Sequence, residues 1–560
     1  MKTKAFIKKL NILAFCGSLF LIVSCRSEQQ DTITENTDGI AFNIDVDNFV
    51  KSHANEQAYV KEASGKGSPV SRQKFKSGPF SIVSELSADQ SDLTRNAAIS
   101  PRSFTSSNVK IRIVAYISAT GEYADQLVTT VAGSKQKLFN LSGGRKYTFV
   151  TYSFNNTTDP PQAPATNLDQ AKLNITNLDG KEAGTDILYA VNPDVMLSGG
   201  NTTINVSLRH IFSRISISVS NSNATGTPGQ PGYTEGSYAL DNNTTGFTGT
   251  IPDNHTSFSL NLKDAIISDG NNQALSISGI NTTAQNLIIN TGGQANYKSK
   301  LIIPSGAVVI GNDTNSSPVS IAIDGPDNNG LQPGKSYTLK LKFNSDRYVD
   351  ETGTTQSKND ARYAVIGGYR WDRFNVGVTS NIPSASNDPD VIRKEIHGAK
   401  YQLSAITGQI DYYLSQQDDQ TYTSVNWETR SHNNVHWNSG DVNNPLKTSS
   451  DPCDSGNRVP SYIEYNKLIN NTFNSPVGVL SPGINNYSAG RKFYSKKSPN
   501  VQLTFPATGF RALGSYTGQI LDRGSIANYW TTTLRFVGSA APYTDPATSN
   551  LGYPVRCIQE

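Results

Sequence analysis

Two cysteines, Cys453 and Cys557, bracket about one hundred residues near the C-terminus, and they are the first residues whose chemistry needs an explanation. A catalytic thiol would require an adjacent base or a C-x-x-C arrangement, and neither is evident around these positions. In an oxidising compartment the two would instead form a disulfide. By closing this loop, the bond lowers the entropy of the unfolded chain and stabilises the fold by on the order of 4 to 5 kcal/mol. We therefore predict a structural Cys453–Cys557 disulfide.

A second group of candidate residues lies in the segment from Trp427 to Trp437. His432 and His436 are four residues apart, a spacing that converges on one metal ion only in a helix, whereas the Asn, Ser and Gly residues around them favour a loop. The two tryptophans offer flat apolar faces to a sugar, with Asn and His donors nearby; buried core aromatics are the alternative. We predict Trp427, His432, His436 and Trp437 as candidate ligand contacts, and no metal site.

No sequence motif supports catalysis. The stretch from Gly334 to Ser336 imitates a phosphate-binding loop, but the strand-like YTLKLKF follows where such a site needs a helix N-terminus. No G-x-S-x-G, H-E-x-x-H or C-x-x-C motif occurs. The acidic pair Asp418 and Asp419 is typical of a solvated loop. We predict no catalytic residues, no enzymatic activity and no cofactor.

The first 24 residues combine a lysine-rich start with an apolar run at 10–23, which is the pattern of a signal peptide. The run ends in a sequence, Ile22 to Cys25, that resembles the lipobox of bacterial lipoproteins. This resemblance implies lipidation at Cys25 and anchorage at the outer membrane; ordinary secretion is the alternative. Without residues 1–24 the chain has 45 Lys and Arg against 46 Asp and Glu, a balance that does not favour nucleic acid as a partner.

After a polar tether at 25–38, short runs with a period of two predict half-buried β-strands separated by turns. These runs are GIAFNIDV (39–46), VKIRIVAYIS (109–118), YTFVTYSF (147–154), RISISVS (214–220), FSLNL (258–262) and YTLKLKF (337–343). We predict a mainly β chain with two stacked β-sandwich domains at 39–200 and 201–345, a linker at 346–360 and a third, separately packed domain at 361–560.

Several segments, in this order, resemble the fimbrillins, the two-domain transthyretin-like pilins of Bacteroidota. The matching segments are VKIRIVAY, GGRKYTFVTYSFN (143–155), TDILYAV (185–191), LRHIFSRISISV (208–219) and PGKSYTLKLKF (333–343). The resemblance implies pilin partners and assembly by donor-strand exchange, after a trypsin-like protease cuts at an arginine and frees a groove in the first domain. Arg95 and Arg102 are the candidates for processing, and an ordinary loop arginine is the alternative for each.

The third domain differs in composition, since all four tryptophans lie in it. Ser461 and Glu464 form an S-x-x-E capping box that predicts the start of a helix. Five stretches resemble the Fibrobacter succinogenes major paralogous domain, an extracellular module: WDRFNVG (371–377), DPCDSGNRVPSYIEY (451–465), FPATGFR (505–511), NYWTTT (528–533) and GYPVRC (552–557). The resemblance implies an α+β, C-type-lectin-like fold, although the E-P-N and W-N-D calcium ligands of sugar-binding lectins are missing.

The order of the domains leads to a functional prediction. A shaft subunit resembling the fimbrillins ends soon after its second sandwich, in a strand that can be donated onward. This chain continues into a bulky third domain, which suits a terminal position. We predict a cell-surface minor or tip subunit of a fimbria, an adhesin whose third domain contacts a glycan or a protein on a host or neighbouring cell. The alternative is a free-standing glycan-binding lipoprotein for polysaccharide capture.

Overall fold

The computed structural model describes residues 40–47, 49, 70–89, 108–131 and 141–560, except for 199, 243–244, 293–295, 327–328, 385 and 431–435. Four residues with predicted roles, Cys25, Arg95, Arg102 and His432, lie outside this described part. Within it, no helix combines the length and the apolar character needed to cross a membrane. Strands dominate, which confirms the predicted mainly β class.

The elements fall into three groups along the chain. The strands up to residue 219 are β1 Ile40–Val46, β2 Val70–Ser77, β3 Phe80–Ala88, β4 Lys110–Ile117, β5 Tyr123–Thr130, β6 Lys146–Ser153, β7 Lys172–Ile175, β8 Leu188–Met196, β9 Thr202–His210 and β10 Ser213–Val219. Those up to residue 344 are β11 Phe247–Asn261, β12 Ile267–Ile280, β13 Gln285–Ile289, β14 Ser299–Ile303, β15 Val309–Ile310, β16 Asp313–Thr314, β17 Val319–Ile323 and β18 Ser336–Asn344. The remaining strands are β19 Arg347–Val349, β20 Tyr363–Ile366, β21 Tyr369–Asn375, β22 Lys400–Tyr401, β23 Tyr413–Leu414, β24 Asn457–Arg458, β25 Thr472–Val477, β26 Gly490–Ser495, β27 Gln502–Pro506, β28 Thr508–Arg511, β29 Ile520–Arg523, β30 Ala527–Trp530, β31 Arg535–Gly538, β32 Tyr543–Asp545 and β33 Arg556–Gln559. The helices are α1 Glu182–Thr185, α2 Gln416–Thr421 and α3 Tyr462–Asn471, with 3₁₀ turns at Leu168–Gln170, Lys394–Ile396 and Gly514–Tyr516.

All six predicted alternating runs form strands. In β1, for example, Ile40, Phe42 and Ile44 are buried while Asn43 and Asp45 are exposed. In β6 the prediction of a half-buried strand is wrong, because both faces are buried: Tyr147 and Phe149 pack into one core, and Val150 and Tyr152 pack into another. The first sheet has the order β1-β9-β8-β6-β4-β5. β1 lies at its edge and pairs in parallel with β9 from Ile40 opposite Thr202 to Val46 opposite Leu208.

Two further sheets enclose the second core. A five-stranded sheet, β13-β10-β18-β3-β2, packs its apolar face against the sheet that contains β12, β11, β14 and β17. Strand pairing crosses the predicted boundary at residue 200 in both directions. β9 follows that boundary yet belongs to the first sheet, and the β2–β3 hairpin precedes it yet pairs with β18.

The third domain is organised on the sheet β19-β20-β21-β33-β24. Its C-terminal strand, β33, lies between β21 and β24 and is hydrogen-bonded to both. The predicted capping box is confirmed, since Ser461 and Glu464 exchange hydrogen bonds at the start of α3. The segment predicted to be a linker, 346–360, instead contributes β19, which pairs with β20.

The second and third domains meet at a hydrogen-bonded junction around Asp346. Its carboxylate accepts hydrogen bonds from the Tyr238 hydroxyl at 2.6 Å, from the Gly367 backbone N–H at 2.9 Å and from the Ser495 hydroxyl. Tyr238 belongs to the second domain, whereas Gly367 and Ser495 belong to the third. The carboxylate therefore ties the two domains together.

The β20–β21 turn lies against the second domain because it consists of two glycines. Gly367 and Gly368 have φ values of 62° and 77°, and a Cβ on Gly368 would lie only 1.7 Å from the carbonyl oxygen of Ile310. On the other side of the junction, Lys497 Nζ donates to the Ser222 carbonyl at 3.0 Å. These contacts give the third domain a defined position on the second.

We expect the junction to show a specific pH dependence. Burial raises the pKa of Asp346 from 3.8 to about 6, so the folded protein holds a proton that the unfolded chain releases between about pH 4 and 6. This contribution to stability is present below about pH 4 and is lost as the pH rises through 6. The unfolding free energy of wild type minus that of Asp346→Asn should therefore fall by about 2 kcal/mol between pH 4 and pH 7, as measured by urea unfolding.

Asp350→Asn provides the control for this experiment. Hydrogen bonds from the side chains of Thr352 and Gln356 lower the pKa of Asp350 to about 2, so its contribution is lost as the pH falls, not as it rises. The unfolding free energy of wild type minus that of Asp350→Asn should therefore not fall between pH 4 and pH 7. A constant difference for Asp346 would mean that this carboxyl is not protonated at the junction.

Candidate functional site

The predicted disulfide joins Cys453 and Cys557, whose Cα atoms are 5.9 Å apart. Cys557 is in β33, and Cys453 is in the loop that precedes β24. The bond thus fixes a loop to β33, an interior strand of the domain's main sheet. The structure confirms this sequence prediction.

A cavity of about 340 Å³, here called the disulfide pocket, opens beside this bond. The residues that shape it come from distant parts of the chain and include Arg362, Tyr401, Thr407, Tyr413 and Asp454. Most of the exposed lining is polar, and it also includes Asn381 and residues 376–378. A concave site with several polar groups and an aromatic ring suits a small polar ligand.

Arg362 holds the polar wall together. Its guanidinium donates to Asp372 at 3.0 Å, to Asp454 at 2.7 Å and to Glu351 at 2.6 Å. Asp372 is buried, and burial raises the pKa of its carboxyl although the positive charge of Arg362 opposes this shift. Of these three carboxylates, Asp372 and Asp454 line the pocket, and the exposed Asp454 presents an acceptor for a hydroxyl group of a ligand.

Three aromatic rings in contact form the aromatic wall, with tilted and edge-on geometries. Tyr413, which is half-buried, lies over Tyr401 with 5.0 Å between the ring centroids, and Tyr401 meets Trp437 edge-on at 6.3 Å. The hydroxyl groups of Tyr401 and Thr407 are 3.0 Å apart and share a hydrogen bond. Tyr413 is therefore the accessible ring, and the two buried rings hold it in place.

Lys447 supports the loop that carries the disulfide. Its ammonium group donates to the backbone carbonyls of Cys453 at 2.6 Å, Asp454 at 3.0 Å and Asn457. The side chain of Asp451 accepts the backbone N–H of Cys453 at 2.8 Å. These bonds hold the position of Asp454 in the pocket lining. Lys447 and Asp451 themselves do not line the pocket.

The structure revises the predicted ligand contacts. Trp427 and Trp437 are 5% and 1% exposed, and their indole N–H groups donate to the carbonyls of Asn550 and Ala405. Their ring faces are therefore not available to a ligand. Both tryptophans are core residues, which was the alternative interpretation. His436 is exposed, and its side chain is not part of the disulfide pocket.

Sequence reasoning missed the residues that do line the pocket. Arg362 and Tyr413 stand in no recognisable motif, and 92 residues separate Arg362 from its partner Asp454. Asp454 had one usable signal, since it follows Cys453 directly. Among the described residues, no group of three or more His, Cys, Asp or Glu side chains is placed to hold a metal ion.

The other side of β22 carries a buried ionic cluster. Lys400 and Tyr401 are consecutive, so Tyr401 faces the pocket while Lys400 points to Asp419, with 3.6 Å between Nζ and Oδ2. Asp419 also accepts from Arg511 at 2.8 Å and from Arg523 at 2.7 Å. The prediction that Asp419 lies in a solvated loop is wrong, because α2 directs this side chain into the domain.

Comparison with known proteins gives similarities at low sequence identity. No model of a protein family matches the chain, and no curated protein matches it. A candidate cell adhesion protein from Bacteroides ovatus is 13% identical, over 55% of this chain and 95% of that chain, with a TM-score of 0.29. A candidate polysaccharide-binding protein from Bacteroides thetaiotaomicron is 13% identical, over 48% and 91%, with a TM-score of 0.28. A candidate adhesin from the same species is 13% identical, over 40% and 74%, with a TM-score of 0.25, and at such scores alignment does not establish a shared fold.

Proposed function

We propose that this protein is a minor or tip subunit of a surface fimbria, with the third domain as its recognition head. The observation that carries the proposal is the position of the C-terminal strand. β33 has hydrogen-bonded neighbours on both sides, β21 and β24, and Cys557 within it is crosslinked to Cys453. A strand held in this way is not available for donation to another subunit.

The last strand of the second sandwich is also committed. β18 lies between β10 and β3, and its eight residue pairs with β3 run from Tyr337 to Asn344. Among the described residues, neither β18 nor β33 is therefore free to be donated to a neighbouring subunit. A subunit of this kind occupies an end of a fibre.

The accepting site is the edge of the first sheet. Release of β1 would uncover β9 and the apolar positions filled by Ile40, Phe42 and Ile44, which an incoming strand could occupy in turn. Arg95 and Arg102 follow both β1 and the β2–β3 hairpin in the sequence. Processing there would cut the covalent connection between these elements and the rest of the chain, after which β1 could leave the sheet edge while the β2–β3 hairpin stays paired with β18 along eight residues.

The disulfide pocket is the proposed ligand site of the head. Tyr413 supplies an aromatic face, and Asp454 supplies an acceptor for hydroxyl groups, which is the chemistry of carbohydrate recognition. The ligand is a glycan, or a glycan-bearing protein, on a host or neighbouring cell. Lipidation at Cys25 holds the subunit at the outer membrane until assembly, and no catalysis is required.

Assembly and recognition can be tested on the same cells. Fimbriae should be isolated, heated mildly and probed for this chain, which should appear joined to one pilin subunit and never between two. Arg95→Ala or Arg102→Ala should abolish this linkage, whereas Arg145→Ala, at an exposed arginine of the first sheet, should not. In a glycan array with and without calcium, the intact chain should bind, and Tyr413→Ala should weaken binding about tenfold through loss of the ring contact.

Two results would overturn the proposal. Absence of the chain from fimbriae, with glycan binding retained, would favour the free-standing glycan-binding lipoprotein, which the pocket also suits. Glycan binding that is unchanged in Tyr413→Ala would remove the disulfide pocket as the ligand site.

A further inference from the structure

The outward face of the β18-β3-β2 sheet concentrates positive charge. Five cations project from it, and we call this set the basic face: Arg72, Lys74, Lys76, Lys340 and Lys342. Lys74 and Lys342 flank Val83 of the central strand, and Arg72 and Lys340 flank Glu85. Because strands are about 4.8 Å apart, the two rows of cations run parallel at a separation of about 10 Å.

A groove lies between these rows. Its volume is about 190 Å³, and its lining includes Arg72, Lys74, Ser81, Val83 and Lys342. The segment from Tyr233 to Gly236 forms one wall and contributes a half-buried ring at Tyr233. The groove thus combines cationic side chains, a hydroxyl group and an aromatic neighbour.

The cations outnumber the carboxylates that face them. Glu85 is 3.0 Å from Lys342 and 3.5 Å from Arg72, so a single carboxylate is shared by two cations. Glu235 is the second acidic group at the groove, and its carboxylate accepts a hydrogen bond from Ser81 at 3.4 Å. Asp89, directly after β3, is a third carboxylate on this face, and it accepts hydrogen bonds from Ser336 and Thr338 of β18. Five cations against three carboxylates leave an excess of positive charge that an anionic ligand would neutralise.

Protection of a sheet edge explains only part of this arrangement. β2 is an edge strand, and exposed lysine or arginine on an edge prevents pairing with other chains. This accounts for Arg72, Lys74 and Lys76. It does not account for Lys340 and Lys342, because β18 is an interior strand with β10 and β3 on its two sides.

We infer that the basic face binds a linear anionic polysaccharide, whose carboxylate or sulfate groups pair with the two rows of cations while its hydroxyl groups meet Ser81 and Glu235. Among the described residues, none of the exposed large apolar side chains lies on β2, β3 or β18, so the face lacks the apolar anchors of a membrane-binding surface. This site is separate from the disulfide pocket and does not depend on it.

Binding of the full chain to polygalacturonate, dextran sulfate and neutral dextran tests this inference. Polygalacturonate or dextran sulfate should bind, and neutral dextran should not. The polymer that binds more tightly shows whether the site prefers carboxylate or sulfate groups. Lys74→Glu should weaken binding about tenfold at low salt. Glu85→Gln should strengthen it, because two cations are then released to the ligand.

Lys300→Glu is the matched control, since Lys300 is an exposed lysine on β14 of the opposite sheet and its reversal changes the net charge equally. It should alter binding less than twofold, and the thermal unfolding midpoints of both lysine variants should match wild type. An equal effect of Lys300→Glu would overturn the inference in favour of net charge alone. Binding of neither polymer, or equal Lys74-dependent binding of DNA or of anionic lipid vesicles, would also overturn it.

Discussion

Replacing Asp419 with asparagine is expected to destabilise the protein by about 3–5 kcal/mol, because the substitution removes the negative charge from a buried ionic cluster. Asp419 is 1% exposed, and its carboxylate binds Arg511 and Arg523 directly, with Lys400 at 3.6 Å. An amide cannot balance three buried cations. The guanidinium groups would keep their bonds to backbone carbonyls, including those of Tyr422 and Ile484, but would lose their counterion.

Lys400→Met, in contrast, is not expected to lower the unfolding free energy. Burial lowers the pKa of Lys400 from its ordinary value of 10.5 to about 8. The stability that this group contributes is therefore fully present above about pH 10.5 and is lost as the pH falls through 8. At pH 7 the protein therefore holds this ammonium group at a cost. A methionine of similar shape removes that cost, and the unfolding free energy should stay the same or rise.

Urea unfolding at pH 7 measures both variants. Glu395→Gln is the control, because it makes the same carboxylate-to-amide change at an exposed position of the same domain and should alter stability by less than about 0.5 kcal/mol. An Asp419→Asn protein as stable as this control would show that the cluster does not depend on its carboxylate. A large loss of stability in Lys400→Met would contradict the expected cost of the buried ammonium group.

Removal of the disulfide has the other large expected effect. The double variant Cys453→Ser, Cys557→Ser should be less stable than wild type by about 4–5 kcal/mol, because the bond closes a long loop in the unfolded chain. The two cysteines are 104 positions apart in the sequence. In the folded state Lys447 still binds the Cys453 carbonyl, so we expect the loop to keep its position while the unfolded chain gains freedom.

Denaturant unfolding with and without a reducing agent checks this expectation. Reductant should lower the stability of wild type to that of the double variant and should leave the double variant unchanged. If the double variant unfolds at the same urea concentration as oxidised wild type, the bond does not contribute to stability. Two free thiols in the unreduced protein, detected by mass spectrometry, would contradict the crosslink itself.

Local sequence pattern was sufficient for the elements that depend on neighbouring residues. A period of two located β1, β4, β6, β10, β11 and β18, because a half-buried strand needs alternate apolar side chains whatever its partner is. The start of α3 followed from the reciprocal bonds of Ser461 and Glu464, which are three residues apart. The Cys453–Cys557 bond followed from the small number of cysteines, so no knowledge of the fold was needed to pair them.

Partners distant in sequence were decided by the tertiary structure. The same alternation fits any sheet edge, so the pattern could not place β9 in the first sheet or the β2–β3 hairpin beside β18. The exposure of Trp427 and Trp437 depends on what packs over them, and both proved to be buried. Asp419 looked like a loop acid because Arg511 and Arg523 lie about one hundred residues further along the chain.

The two candidate binding sites show the same division. The sequence displays the cysteines beside the disulfide pocket and the lysines of β18, since these are features of composition and local spacing. It does not display the pocket itself, in which Arg362 meets Asp454, or the basic face, in which Lys74 lies two strands from Lys342. Both sites arise where strands far apart in sequence become neighbours, and that proximity is set by the packing of the sheets.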